Sequence, residues 1–113
     1  MTSRLPRDAN KNPIGILQYV GDGQEVNATV GSNAVNATAF DQGTRAITIT
    51  PDVDIYIRQG ASASVTAVGS KHKLKADFPY DIAIGDPSTQ DFMPYVAIVA
   101  VNTAGKVFIS ERA

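Results

Sequence analysis

One stretch of the sequence decides the fold, Tyr95-Val96-Ala97-Ile98-Val99-Ala100-Val101. Its side chains are apolar at successive positions, and successive residues of a strand point to opposite faces of a sheet. In an all-β protein, such a segment is typical of a central strand that is covered on both sides. The run is also the longest apolar one and is far shorter than the ~18 residues of a membrane helix. We expect this strand to lie at the heart of the core and no segment to span a membrane.

The rest of the chain from Ile14 onward consists of short β-branched and aromatic segments. Gly, Asp, Asn and Pro interrupt these segments roughly every eight to twelve residues, which is the pattern of all-β proteins. No window places apolar residues at helical spacing for three turns, so we expect little or no helix. The sequence predicts one domain over residues 14–113, an antiparallel β-sandwich or a jelly-roll-like barrel of about eight or nine short strands.

Two pairs of neighbouring segments are predicted to form hairpins. Residues 25–30 and 34–40 contain the matching words Val-Asn-Ala-Thr and flank the turn residues 31–33. Residues 95–101 and 106–111 flank a second turn that contains Asn and Gly. In each pair we expect the two strands to lie side by side in one sheet.

Alternation along individual segments predicts which side chains point inward. Ile47 and Ile49 share one face of their strand, and Ile55 and Ile57 share one face of the next. Val107 and Ile109 are expected to point inward and Phe108 to point to the opposite side. Further short strands are expected at residues 64–68, 71–76 and 81–84, with a turn at residues 21–23 and an exposed loop at residues 86–93.

Composition bounds the class of protein. The 113 residues fit a single domain, and hydrophobic residues at 43% exclude disorder throughout. Ten Lys and Arg nearly cancel eleven Asp and Glu, so no basic field favours nucleic acid as a partner. The absence of cysteine excludes disulfides, thiolate nucleophiles and cysteine zinc sites. The N-terminus lacks the apolar region of a signal peptide, so we expect synthesis in a cytoplasm.

Catalytic residues are not expected. His72 is the only histidine and stands between Lys71 and Lys73, so a histidine relay would have to work from a cationic strand. The alternation of Lys71, Lys73 and Lys75 is typical of a solvated face, and such a row protects an edge strand from aggregation. This stripe is also the place where an acidic partner would dock. We therefore expect a protein that is not an enzyme.

No metal or cofactor site is expected either. Asp52 with Asp54, and Asp86 with Asp91, are the densest carboxylates, but neither pair supplies a third ligand at a spacing that calcium sites use. Turn chemistry explains these aspartates better, because Asp at a turn bonds its own backbone. The glycines match neither a dinucleotide-binding fingerprint nor a P-loop.

Two further patterns have a plain structural interpretation. Asn27 and Asn36 begin matches to the glycosylation acceptor, but without a secretory route they are polar strand residues. The tyrosines, with four phenylalanines, suit a sugar-binding platform, yet aromatics at strand spacing are more typical of a core. The tyrosines are Tyr19, Tyr56, Tyr80 and Tyr95.

Residues 1–13 are predicted to form an extended N-terminal arm. Pro6 and Pro13 fix φ and disfavour helix before them, and the segment has too few apolar residues to build a core. It is either a loose tail or an arm that becomes ordered against a partner. The residues expected to contact that partner are Arg4, Leu5, Pro6, Arg7 and Ile14.

The arm also carries a family resemblance. Residues 5–14, which read LPRDANKNPI, resemble the start of many small virion proteins of tailed phages, in which LPRD-x-N-x-x-P leads into a compact β-domain. Four later segments are similar in order to small β-sandwich proteins encoded among phage head and tail genes. These segments are residues 47–60, 77–81, 95–99 and 105–109.

The resemblance implies a structural role in a virion. The expected protein is a capsid decoration (cement) protein that binds and stabilises the phage head through its arm and β-domain. Its partners would be the major capsid protein or other virion subunits, and it would form a homo-oligomer, namely a trimer at capsid threefold positions. It would be made in the host bacterial cytoplasm and reside on the capsid surface or in the head-tail region of the virion.

Two other classes of function stay open. One is a neck, tail or fibre component, or a carbohydrate-binding module that touches the host surface. The tyrosines and the 86–93 loop are the motivation for the carbohydrate-binding module. The other is an enzyme, which the single histidine and the absent cysteines make the weakest of the three.

Overall fold

The computed structural model of the protein describes residues 19–113, which form eight strands. The strands are β1 (Tyr19–Ala28), β2 (Ala34–Val35), β3 (Ala46–Pro51), β4 (Ile55–Gly60), β5 (His72–Leu74), β6 (Tyr80–Ala83), β7 (Tyr95–Ala100) and β8 (Gly105–Arg112). They form two four-stranded antiparallel sheets. The described residues contain no helix that is long and apolar enough to cross a membrane. The all-β expectation is confirmed.

The strand order follows from rolling up one long hairpin. β1 pairs with β8, β2 with β7, β3 with β6 and β4 with β5, so the tip of the hairpin lies between β4 and β5. Rolling also brings β3 beside β8 and β4 beside β7. The first sheet has the order β1-β8-β3-β6 and the second has β2-β7-β4-β5. This is the topology of an eight-stranded jelly roll, built as a sandwich of two sheets and not as a closed barrel.

The core lies between the sheets and is built from alternate residues of each strand. The predicted inward residues of β3, β4 and β8 are all buried, and they are Ile47, Ile49, Ile55, Ile57, Val107 and Ile109. Phe108, predicted to face the other way, is 48% exposed. The period-two pattern therefore predicts the buried face of these three strands correctly.

β7 is buried on both faces, as its sequence predicts. Val96, Ile98 and Ala100 face the first sheet and belong to the main core. Ala97 and Val99 face the opposite side, where residues of the 61–71 loop cover them. β7 lies between β2 and β4, so it is paired along both of its edges as well.

The 61–71 loop connects β4 to β5 and folds back over the outer face of the second sheet. Val65 and Ala67 pack there against β7. The Asn33 side chain holds the loop, because its amide donates to the Val65 carbonyl at 2.9 Å and its oxygen accepts from the Ala67 N–H at 2.8 Å. The strand predicted at residues 64–68 is therefore wrong. Its apolar residues cover a sheet, and its backbone bonds a side chain instead of a neighbouring strand.

Both predicted hairpins are wrong for one reason. β1 and β2 belong to different sheets, and so do β7 and β8. In each case the short connection crosses the sandwich, so the two strands face each other through the core instead of pairing at their edges. Sheets pack about 10 Å apart, a distance that a few extended residues can span.

Residues 21–23 form a bulge inside β1, where a turn between strands was expected. The register against β8 shifts between Val20 and Gln24. Gly21 and Gly23 have φ of 67° and 80°, a conformation that favours glycine. Glycine is needed here as the sequence predicts, but the chain continues in the same sheet beyond it.

The strand predicted at residues 34–40 ends at Val35, and the reason is the next residue, Asn36. Its side chain is buried and replaces strand pairing: its oxygen accepts from the Val96 N–H at 2.8 Å. Its amide donates to the carbonyls of Thr38 at 2.7 Å and Pro94 at 3.2 Å. Asn27, in the matching sequence word, is an exposed residue of β1, as expected of a polar strand residue. The same tetrapeptide, Val-Asn-Ala-Thr, thus has a different structural role at each of its two positions.

We predict that Ile98→Ala lowers the free energy of unfolding by about 3 kcal/mol, because it removes buried methylene groups and leaves a cavity in the core. Urea denaturation followed by circular dichroism measures this. Val68→Ala, at a position 54% exposed, should change it by less than about 0.5 kcal/mol. Equal effects of the two substitutions would contradict the central place of β7.

We predict that Asn36→Ala costs about 2 kcal/mol, because the buried Val96 N–H loses its acceptor. Asn27→Ala is the matched control, since it alters the same tetrapeptide at an exposed position and should cost less than about 0.5 kcal/mol. Chemical denaturation of both variants checks this. The interpretation fails if Asn27→Ala is the more destabilising change.

We predict that Gly60→Ala destabilises the protein by about 1–3 kcal/mol through overpacking. A Cβ atom at this position would overlap the Cβ of Val65, so the 61–71 loop would have to move. Gly43→Ala is the control, because its Cβ would meet nothing closer than 3.7 Å. Amide hydrogen exchange should rise across residues 61–71 in Gly60→Ala alone; uniform exchange would contradict the close packing.

Candidate functional site

The predicted partner contacts Arg4, Leu5, Pro6, Arg7 and Ile14 lie outside the described residues. Residues 1–18 connect to the sandwich at Tyr19, the first residue of β1, which is an edge strand of the first sheet. The segment contains three cationic residues and one Asp, which leaves seven cations against ten carboxylates in residues 19–113. The segment and the sandwich therefore carry net charges of opposite sign.

A groove of about 840 Å³ lies beside β5. Ile57, Leu74 and Met93 supply its apolar lining, and the cationic side chains at it are Arg58, Lys71 and Lys73. β5 is an edge strand of the second sheet, so the groove opens at a side of the sandwich. The Gln59 amide donates to the Ala83 carbonyl at 2.9 Å and links the two sheets on this side.

The predicted lysine stripe lies on this edge strand and beyond it. Lys73 is 3.8 Å from Asp54, and the Lys75 ammonium lies 5.9 Å from the centre of the Phe78 ring. Lys71 forms no ion pair with any described residue. The contacts of Lys73 with Asp54 and of Lys75 with Phe78 are solvent-exposed and therefore weak, so they do not remove the cationic character of this edge. The placement on an edge strand fits the protective role of lysine there.

His72 also lines the groove, but no side-chain partner orients it. No hydrogen bond joins the imidazole to another residue in the described part of the chain. The nearby Ser70 hydroxyl donates to the Ile57 carbonyl and accepts from the His72 backbone N–H at 3.3 Å. Ser70 is thus used to hold the backbone of β4 and β5 together.

Asp52 and Asp54 bond backbone groups that are distant in sequence, so the local turn chemistry expected of these two residues is wrong. The Asp52 carboxylate accepts from the Lys106 N–H at 2.9 Å, and the Asp52 N–H donates to the Lys106 carbonyl at 2.9 Å. The Asp54 carboxylate accepts from the Ala76 N–H at 2.8 Å. Within residues 19–113, no three His, Asp or Glu side chains are grouped so that they would hold a metal ion.

The second predicted carboxylate pair lies in the 86–91 loop, which is exposed as expected. The Asp86 carboxylate accepts from the Ser88 N–H at 2.9 Å and from the Ser88 hydroxyl at 2.8 Å. Both bonds lower the pKa of Asp86, and the bond from the Ser88 backbone N–H has the larger effect. The loop is closed at its base, where the Met93 N–H donates to the Ile84 carbonyl at 2.7 Å.

The tyrosines do not gather into one platform. Tyr80 packs against the core and its hydroxyl accepts from the Lys75 N–H at 2.9 Å. Tyr56 and Tyr95 belong to strands of the second sheet, whereas Tyr19 belongs to the first and is 67% exposed. Phe108 is the other exposed aromatic of the first sheet.

Two residues of the groove are not evident from the sequence pattern. Arg58 follows Ile57 in β4, so alternation predicts that its side chain lies outside the core. Alternation does not predict that Arg58 lies beside the lysine stripe. Met93 comes from the segment between β6 and β7, and only the folded chain brings it to β5.

Comparison with known proteins returns no relative of this chain. No protein-family model, no curated protein and no solved structure matches it. What the protein does is therefore inferred from its own residues and from their arrangement.

Proposed function

We propose that the protein is a non-enzymatic structural component of a tailed-phage virion, namely a capsid decoration (cement) protein that binds and stabilises the head. The observation that carries this proposal is the resemblance of residues 5–14 to the start of small phage virion proteins, joined here to a compact β-domain. Its partners would be the major capsid protein or other virion subunits, and its location the virion.

The fold supports this proposal. Eight-stranded jelly rolls occur in viral capsid domains and in lectins. Because one fold hosts many functions, the fold narrows the choice and the exposed residues have to decide it. In residues 19–113 the exposed residues include most of the charged side chains and, on the first sheet, the aromatic Tyr19 and Phe108.

The chemistry of the N-terminal segment indicates what its partner surface would offer. Arg4 and Arg7 have planar guanidinium groups that bind carboxylates through two parallel hydrogen bonds. Leu5 and Pro6 between them are apolar and bury well against a neighbour. We therefore propose that these four residues, with Ile14, bind a capsid surface that presents carboxylates around a small apolar pocket.

Homo-oligomerisation belongs to the same proposal. Decoration proteins of the class that the sequence resembles are often trimers at threefold positions of the capsid, and closed rotational symmetry suits a subunit that repeats around a particle. The sandwich would serve as the rigid platform that presents residues 1–13 to the head. A neck, tail or fibre position would use the same two parts against a different partner.

A carbohydrate-binding module is the second candidate. Tyr19 and Phe108 are exposed on the same sheet, and aromatic rings are suited to stacking against sugar rings. A glycan array with folded protein tests this candidate. Binding of a sugar that Phe108→Ala abolishes would favour it, and a blank array would remove it.

We predict that Arg4→Ala combined with Arg7→Ala weakens binding to phage heads by about tenfold or more, because truncating buried interface arginines commonly costs more than ~1 kcal/mol each. The measurement is co-sedimentation with heads purified from a phage whose copy of this gene is deleted. Lys11→Ala is the matched control, since it removes one cation from the same segment at a position outside the proposed contacts.

A second variant separates binding from folding. Deletion of residues 1–13 should abolish occupancy on the heads and leave the thermal unfolding midpoint unchanged, because the core of residues 19–113 stays complete. Unchanged occupancy of the deleted protein would refute the role of the arm. Failure of the intact protein to bind any head preparation would refute the virion proposal itself.

A further inference from the structure

The groove beside β5 is a local concentration of positive charge in an acidic sandwich. Arg58, Lys71 and Lys73 line it, which is three of the seven Lys and Arg in residues 19–113. No carboxylate lines the same groove. A cationic segment would be repelled there, so the groove favours a binding segment that carries negative charge.

The 86–91 loop has the complementary chemistry. Asp86 and Asp91 are exposed, and residues 85–93 contain no Lys or Arg. Internal hydrogen bonds hold the loop: the Thr89 N–H donates to the Asp86 carbonyl at 3.0 Å, and the Thr89 hydroxyl accepts from the Asp91 N–H at 3.2 Å. A loop that is already ordered loses little conformational entropy when it binds.

The two surfaces adjoin each other. Met93, two residues beyond the loop, lines the groove and is 36% exposed, beside the apolar Ile57 and Leu74. Within the described chain neither Asp86 nor Asp91 forms an ion pair with the groove cations. Each molecule thus presents a cationic groove and an acidic loop beside the exposed Met93, and charged groups around an apolar contact are the composition of a protein interface with a polar rim.

We propose that the groove receives the 86–91 loop of a second copy of this chain. Because the groove and the loop adjoin, two copies can exchange both contacts about a twofold axis, and a head-to-tail arrangement of more copies closes into a ring when the rotation between neighbours permits. Either arrangement is a closed assembly. The inference does not depend on the virion proposal, since it uses only the described residues.

Charge reversal tests this contact by sedimentation velocity on the intact chain. Lys71→Glu and Asp91→Lys should each weaken self-association by about tenfold, and the double variant should recover it to within about threefold, because the pair is restored with its signs exchanged. Sodium chloride at about 0.5 M should weaken the wild-type assembly, since salt screens exposed charges.

Matched controls separate this contact from net charge. Lys75→Glu makes the same charge change as Lys71→Glu, just beyond β5 but outside the groove. Asp22→Lys makes the same charge change as Asp91→Lys, on β1. Both should leave self-association within about threefold of wild type. Circular dichroism and thermal unfolding of every variant verify folding, and Lys71→Gln offers a milder change that should still weaken the assembly.

The outcomes are distinct. Loss in both groove and loop variants with recovery in the double variant supports the proposal, whether the assembly has two, three or more copies. A wild-type chain that stays monomeric at about 100 µM in low salt overturns it, because a closed assembly with any useful affinity would form there. Equal loss in the control variants, or no recovery in the double variant, overturns it as well.

Discussion

The structure depends on the burial of β7 on both faces. A strand that is apolar at every position has to be removed from water on two sides, and one opposing sheet covers only one of them. Here the first sheet covers one row of side chains and the 61–71 loop covers the other. The loop in turn requires the Asn33 side chain and a glycine at position 60, so residues far apart in sequence serve one strand.

The strand order of the second sheet explains where charge is found. β7 and β4 are paired along both of their edges, which leaves β2 and β5 at the edges of the sheet, where backbone groups are open to pairing with other chains. Lys73 on β5 and the flanking Lys71 and Lys75 discourage uncontrolled pairing of that edge, and Lys71, Lys73 and Arg58 would also select the proposed partner by charge. Protection of an edge and recognition of a partner are compatible uses of these side chains. They are also achieved without any change in the core.

Sequence reasoning succeeded where local alternation decides the outcome and failed where tertiary contacts do. The burial of Ile47 and Ile49 follows from their alternation with polar residues, and the burial of both faces of β7 follows from its unbroken apolar run. Alternation does not identify a strand's neighbour, so both hairpins were misassigned. Residues 64–68 look like a strand because a covering loop also alternates. The Asn36 side chain takes the place of backbone pairing between strands. Asn27, at the same position of the matching tetrapeptide, is an exposed strand residue. The groove joins β4, β5 and Met93, which only folding assembles.

The rolled-up hairpin has a consequence for how the chain reaches its native state. Val26 of β1 pairs with Val107 of β8, about 80 residues later in the sequence. Contacts of such long sequence separation slow folding, because loop-closure entropy is lost before they form. During synthesis β1 has no ladder partner until β8 has left the ribosome. The first sheet is therefore completed only after β8 has been made.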